Sequence, residues 1–380
     1  MSIVIIGTGM AGYNLAREIR KSDTEVALVL VTADGGNAYP KPALSNALIQ
    51  GKQPQQIISA DAATMAERLN AVIHTRTRVQ SIDTANRQVI TDQGNISYDR
   101  LVLATGARPI RLPFKGDAAD EVLSVNDLEE YSLFREKIEQ ARRVAIIGPG
   151  LIGCEFANDL IVSGRQVEVI GPDPYPISTL LPEAAGKALQ DGLAAAGVRW
   201  HLGTVVEEIN HNNEGYQLRL TDGNIVMADV ILSAIGLKPD LDLAQSIALE
   251  TNRGIVTDRT LQTSQPGIYA LGDCVEVAGL NLPFVMPLMN AARALAKTLT
   301  GTATPLSYPA MPVGIKTPAH PIVVSPPARG TEGDWEIEQD ESGVRALFRS
   351  SQGQLLGFTL TGNYVDEKAQ WTKQVPPVLA

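Results

Sequence analysis

"IVIIGTGMAGYNLAREIR", residues 3–20, decides how the chain folds. Apolar Ile3 to Ile6 run into Gly7, Gly9 and Gly12, after which Leu15 and Ile19 recur at i, i+4. That order reads as strand, tight turn and helix. Gly7 permits the turn, Gly9 lets a pyrophosphate approach the backbone, and Gly12 lets the helix lie against its strand. The first helical turn, with Met10 and Ala11, offers amide donors and partial positive charge to the phosphates. A second apolar strand, "VALVLVT" at residues 26–32, closes on Thr32 just before Asp34, where a carboxylate can accept hydrogen bonds from a ribose. A glycine turn without a nucleotide is the plain structural alternative, and the complete strand, turn, helix and acid weigh against it.

The pattern recurs in "RRVAIIGPGLIGCEFANDLIVSG". Gly148, Gly150 and Gly153 follow a strand at 144–147 and open a helix through Leu151 and Ile152, so two dinucleotide sites are implied. The following strand, "QVEVIG" at 166–171, ends on Gly171 where an acid often selects NAD over its 2′-phosphorylated relative. Asp173 can substitute from two residues on, and no arginine pair follows to neutralise an extra phosphate, which favours NADH.

Two phrases mark chain crossings between these units. "YDRLVLATGARP" runs an apolar strand through Ala104, Thr105 and Gly106, and "ADVILSAIGLKPD" at 228–240 closes the second unit. "IYALGDC" then looks like a return to the first unit, ending on Gly272 and Asp273, whose side chain can bind a chain of hydroxyls. A helix over 287–299 carries Leu288, Ala292, Leu295 and Leu299 on one stripe, which core packing explains; only its start carries chemical information. Past Gly301 prolines punctuate short strands, "DWEIEQD" and "VRALFRS" read as a hairpin, and a short helix is expected around 363–374.

The expected class is therefore α/β, with two Rossmann-like nucleotide-binding domains and a small α+β C-terminal domain. The first domain is discontinuous, 1–109 and 237–308, the second is inserted as 110–236, and the third spans 309–380. The 32 basic and 42 acidic residues give a formal charge of −10, which argues against nucleic acid as a partner. No apolar run reaches the roughly 20 residues that span a bilayer. Met1 and Ser2 lead straight into the first strand without a secretory segment, so the cytoplasm is expected. Cys154 and Cys274 stand 120 positions apart, giving neither a CxxC pair nor a metal cluster. Both read as helix or turn packing, and the four histidines as structural or exposed.

With "GTGMAG", Asp34, "YPKPALS", "LATGARP", "GPGLIGCE", "AIGLKP" and "IYALGDC" in that order, residues 1 to about 300 resemble the pyridine-nucleotide-dependent flavoprotein reductases of the glutathione-reductase structural class. The resemblance implies FAD in the first unit and NADH/NAD+ in the second. Disulfide reductases of that class carry a cysteine pair on an early helix, and its NADH oxidases carry one cysteine near "KPALSNAL"; residues 35–60 here hold none. The chain therefore resembles the branch that passes electrons from flavin directly to a protein carrier. "GLNLPFVMPLMNAARALA" and "MPVGIKTPAHPIVVSPP" extend the similarity to the rubredoxin-reducing members, which implies rubredoxin as partner and a monomer or weak dimer. A ferredoxin reductase serving an oxygenase, or a flavin-binding interaction protein with only slow oxidase activity, are the alternatives.

The same resemblance assigns roles to individual residues. Lys41, followed by Pro42, matches a basic position beside the flavin, where an ammonium stabilises the reduced ring; a surface lysine held out by prolines is the alternative. Glu155 matches the acid that faces the nicotinamide and is expected to pair with Lys41, or else compensates its helix dipole. Lys316 resembles the position from which the third domain reaches the pyrimidine end of the flavin, or is a solvated strand charge. Val79, Gly272, Asp273 and Val285 complete the expected flavin contacts. From Pro309 onward six basic and eight acidic residues leave no net positive charge, so any carrier-steering rim has to be spatial, around Lys316, Arg329, Pro326 and Pro327.

Overall fold

A computed structural model describes all 380 residues. In chain order its principal elements are β1 (Ser2–Ile6), α1 (Met10–Ser22), β2 (Ala27–Val31), β3 (Val72–His74), β4 (Arg100–Leu103), β5 (Arg143–Ile147), α2 (Leu151–Val162), β6 (Gln166–Gly171), α3 (Glu183–Ala195), β7 (Val198–Leu202), β8 (Val230–Ser233), β9 (Ile268–Ala270) and α4 (Val285–Leu299). The last segment adds β10 (Val313–Ile315), β11 (Ile322–Ser325), β12 (Asp334–Asp340), β13 (Gly343–Arg349) and β14 (Leu355–Thr361).

The near-continuous apolar runs form parallel strands because both faces of each sheet are covered. The first sheet has the order β9-β4-β1-β2-β3 and the second β7-β6-β5-β8. Ile3 lies opposite Leu28 on one side and Arg100 on the other. β9 arrives from far along the chain to pair Ile268 with Leu101, so the second sheet is an insertion within the first unit. The two crossings pair antiparallel, Pro109 opposite Leu237 and Ala107 opposite Pro239. Arg108 braces them through Asp240 and Asp242, both at 2.7 Å.

The third sheet, β10-β11-β14-β13-β12, is antiparallel throughout, and the expected hairpin is its β12–β13 pair, with Asp340 opposite Gly343. The expected C-terminal helix is instead a 3-10 turn, Gly362–Glu367, followed by a short helix, Lys368–Thr372. Glu367 at that break accepts from Trp371 Nε1 at 2.8 Å and from Arg345 at 3.0 Å, which ties the turn to the sheet.

One apolar core lies under the first sheet, where Leu15, Ile19, Leu30 and Leu295 are buried completely. A second is shared: it joins Leu44 and Ala47 of the first unit to Leu160 and Leu189 of the second and Ile315 and Val324 of the third. Each large apolar side chain so buried contributes about 1.5–3 kcal/mol. All three units are therefore held together around residues 44–47. No helix is long and apolar enough to cross a membrane.

Candidate functional site

The two glycine turns divide their work in the same way. Gly7 has φ +115°, and a Cβ there would sit 2.3 Å from Ala104 O; a Cβ on Gly12 would sit 1.9 Å from Gly7 O. In the second turn Gly148 has φ +113° with Ala234 O at 2.6 Å, and a Cβ on Gly153 would sit 2.0 Å from Gly148 O. Packing thus forces the outer glycines of each triplet. Around the middle ones, Gly9 and Gly150, nothing lies within 4 Å of a Cβ position. An open middle glycine at the start of a helix fits a diphosphate, which needs close backbone approach and free amides. Met10 with Ala11, and Leu151 with Ile152, form the first turns of α1 and α2 beside these openings.

Other expected residues gather round the first cradle. Gly272, φ +89°, would place a Cβ 2.8 Å from Ala11 Cβ, so the end of β9 abuts the start of α1 and brings Asp273 with it. Asp34 is exposed and fixed within its own turn, accepting from Thr32 Oγ1 and Gly36 N, both at 2.8 Å. Thr105 donates to Asp240 O at 2.9 Å, and Gly106, φ +72°, has open space beside it. Val79 begins a separate small sheet at the edge of this unit, and Val285 opens α4 with its side chain 39% exposed.

The charged residues pair differently from the sequence expectation. Lys41 does not meet Glu155. It opens a short 3-10 helix, Lys41–Ser45, and its Nζ donates to Asn126 Oδ1 at 2.7 Å, while Asn126 Nδ2 holds Ala107 O at 2.9 Å. Burial lowers the Lys41 pKa, against the opposing pull of Asp273, Asp127 and Glu130. Its proximity to Asp273 places it at the first cradle.

Glu155 is instead clasped by the third domain. Only 1% exposed, it accepts from Lys316 N through Oε1 at 2.9 Å, and from Ser45 Oγ at 2.6 Å and Lys316 Nζ through Oε2. Lys316 Nζ also donates to Ser45 Oγ at 3.0 Å. The physical reason is reach: α2 turns Glu155 toward the loop after β10, while the 3-10 turn points Lys41 away and presents Ser45. The same face of α2 continues the brace, with Asp159 accepting from Leu48 N and Ile49 N and Asn158 accepting from Ala319 N. Ser45 and Asn126 are the partners of Glu155 and Lys41 that sequence reading missed. Ser45 stood within the quoted "YPKPALS", four positions after Lys41; Asn126 had no local signal, because its partner lies 85 positions away.

Cys154 and Cys274 are completely buried, in α2 and after β9, and burial pushes both thiols up. Cys154 directly precedes Glu155, but its Sγ turns to Pro149 O at 3.4 Å, and Cys274 Sγ turns to Leu271 O at 3.4 Å. His320 is half-buried with Nε2 unpartnered, and its pKa is lowered by burial.

Comparison with known proteins agrees with this architecture. The family model described as pyridine nucleotide-disulphide oxidoreductase matches residues 1–296, and that described as rubredoxin binding C-terminal domain matches residues 305–375. Rubredoxin-NAD(+) reductase of Alcanivorax borkumensis is 48% identical over 378 residues, covering 99% of each chain. Its namesake in Acinetobacter baylyi is 45% identical, covering 99% of this chain and 98% of its own. Among solved structures, the ferredoxin reductase for the CYP199A2 system from Rhodopseudomonas palustris superposes with a TM-score of 0.88 at 27% identity, covering 97% of this chain and 92% of that one. With both glycine cradles, the inserted second sheet and the matched third domain in place, the chain belongs to the pyridine nucleotide-disulphide oxidoreductase family.

Proposed function

We propose that the protein is an NADH-dependent rubredoxin reductase, with FAD in the unit built from residues 1–109 and 237–308 and NADH in the unit built from 110–236. The observation that carries this reading is the junction of the three units: Lys41, Ser45, Glu155 and Lys316 gather there, and its one cysteine, Cys154, is completely buried and unpaired with its thiol pushed up, so no dithiol stands ready to relay electrons. FAD held at the first cradle would supply hydride acceptance and one-electron release, the chemistry that an iron carrier requires.

The chain's own residues supply binding, position and charge. The amides opening α1 and α2 would hold the diphosphates, and the turns at Gly7 and Gly148 bring strand and helix close enough to present them. Lys41, disfavoured as a cation by burial, gains from any negative charge that develops beside it, and Asn126 fixes its Nζ. Glu155 is immobilised by three donors, which would fix the start of α2, and with it the second cradle, against the third domain, and the shared core around Leu44 and Ile315 excludes water from behind it. Oxidation of NADH and NADPH, each assayed with rubredoxin, with ferredoxin and with oxygen alone, tests the proposal. NADH-driven reduction fastest with rubredoxin is expected; preference for ferredoxin, whose reductases share this fold, or negligible turnover with either carrier, rejects it.

A further inference from the structure

Lys41 is a half-buried cation with no carboxylate bonded to it. Its hydrogen-bond partner is the neutral Asn126, whose Oδ1 accepts from Nζ at 2.7 Å. Asp273, Asp127 and Glu130 pull on it only across space. Other half-buried cations of the chain are paired, Lys316 with Glu155, Arg143 with Asp229 and Arg345 with Glu367. Burying a charge without a counter-ion costs stability, so an unpaired lysine beside the first cradle calls for a reason other than packing.

The neutral partner is held rigidly. Ala107 O can only accept, so the Asn126 amide turns Nδ2 to it, at 2.9 Å, and leaves Oδ1 for Lys41. Asn126 N donates to Glu130 Oε2 at 2.7 Å, and the adjacent Asp127 caps the helix Leu128–Glu139 by accepting from Glu130 N at 2.8 Å. On the other side Leu123 N donates to Ile231 O at 3.0 Å and Leu123 O accepts from Ser233 N at 2.7 Å, which ties the segment to β8. The residue that holds Lys41 therefore belongs to the inserted unit and is fixed to its sheet. A second strap runs beside it, with Leu128 N donating to Tyr39 Oη at 3.1 Å. Residues 39–41 of the first unit are thus clamped to 126–128 of the second. An aspartate at 126 could reach Lys41 equally well, but it has no donor for Ala107 O; an amide serves both.

We propose that Asn126 is a positioning residue that acts through Lys41: it fixes the lysine Nζ beside the first cradle yet withholds a counter-charge, which leaves the cation free to favour negative charge on a flavin held there and so raises the flavin's reduction potential. The inference rests on FAD occupying the first unit, as read above. A fixed carboxylate at 126 would compensate Lys41 before and after reduction alike, and the preference would be lost. A cation already in place needs no reorganisation when charge develops. Because Asn126 is carried by the second unit, the potential of the flavin depends on how the nucleotide unit is seated against the first.

The test is the midpoint potential of FAD-loaded protein, measured by anaerobic equilibration with a reference dye, in Asn126→Asp, Asn126→Leu and Lys41→Met. Gln370→Glu, an added charge on the exposed side of the short C-terminal helix, is the control. Asn126→Asp should move the two-electron reduction equilibrium about tenfold toward oxidised flavin, ~30 mV lower in potential. Asn126→Leu should move it the same way in the wild-type chain and not at all beside Lys41→Met, because its effect passes through the lysine. Gln370→Glu should leave the potential where it is. A wild-type potential in Asn126→Asp, with Lys41→Met lowered, overturns the proposal. So does an Asn126→Leu shift that persists undiminished beside Lys41→Met, which makes residue 126 merely structural; this second comparison decides the matter if Asn126→Asp does not retain flavin. An unchanged potential in Lys41→Met also overturns it, by taking the lysine away from the flavin while leaving the functional reading intact. If the wild-type chain binds no FAD, the functional reading itself falls, and the inference with it.

Discussion

The two glycine turns are alike where a diphosphate would lie and differ where a ribose would. At both, backbone carbonyls crowd the outer glycines and leave the middle one open. Beyond the next strand they diverge. After β2 the chain offers Asp34, exposed and held by Thr32 and Gly36. After β6 it offers Gly171, where a Cβ would lie 2.1 Å from Pro149 Cδ. Pro149, the middle residue of "GPG", therefore forbids a side chain at the site where an acid would otherwise stand. Asp173, two residues on, is half-buried and already accepts from Ser178 Oγ. The lesson is that phosphate recognition is backbone geometry and recurs unchanged, whereas ribose recognition is a single side chain that neighbouring packing can displace.

The largest expected effect comes from filling the crowded glycines. Gly12→Val should weaken flavin retention and leave purified protein pale, while Gly153→Val should stay yellow and bind NADH about ten- to a hundredfold more weakly, matching ~1–3 kcal/mol of overpacking. Colour and nucleotide titration read the two outcomes; a yellow Gly12→Val protein of normal affinity would erase the assignment of cradle to cofactor. Next is the clasp at the second cradle. Lys316→Met leaves Glu155 buried without its ammonium and should cost about 1–3 kcal/mol in urea unfolding. Adding Glu155→Gln should recover part of that loss, the signature of coupled neighbours.

A smaller effect isolates the Gly171 difference. Gly171→Ala should destabilise by about 1 kcal/mol or more, and Pro149→Ala in the same chain should relieve it. Additive losses would mean that the proline is not the obstacle. Smallest is a pH effect confined to the second unit. Burial by itself would raise the Asp229 carboxyl, but Arg143 and the amides of Arg142 and Arg143 outweigh it and hold the pKa below the ordinary aspartate value. Its stabilisation is then complete above about pH 4 and disappears as the pH falls through the lowered folded value. Asp229→Ala should flatten part of the acid-side loss of stability, with no change near neutrality in the slope against pH.

What could be read from the sequence was local. Each glycine turn is one contiguous strand, turn and helix, so its periodicity and spacing reveal it without any tertiary knowledge. The β12–β13 hairpin was legible for the same reason. The clasp was not, because Glu155 and Lys316 are 161 positions apart, and the pairing of Glu155 with Lys41 expected from the sequence fails because the 3-10 turn aims Lys41 at Asn126.

The central claim is that electrons pass between two dinucleotides and out to a carrier with no sulfur in between. Anaerobic titration of FAD-loaded protein with NADH, following flavin absorbance to its end point, tests this most directly. The account predicts one NADH consumed per chain, with rubredoxin restoring the absorbance, and the same end point after Cys154→Ala and Cys274→Ala together. Uptake of a second NADH that disappears with those substitutions would show a sulfur relay and contradict it.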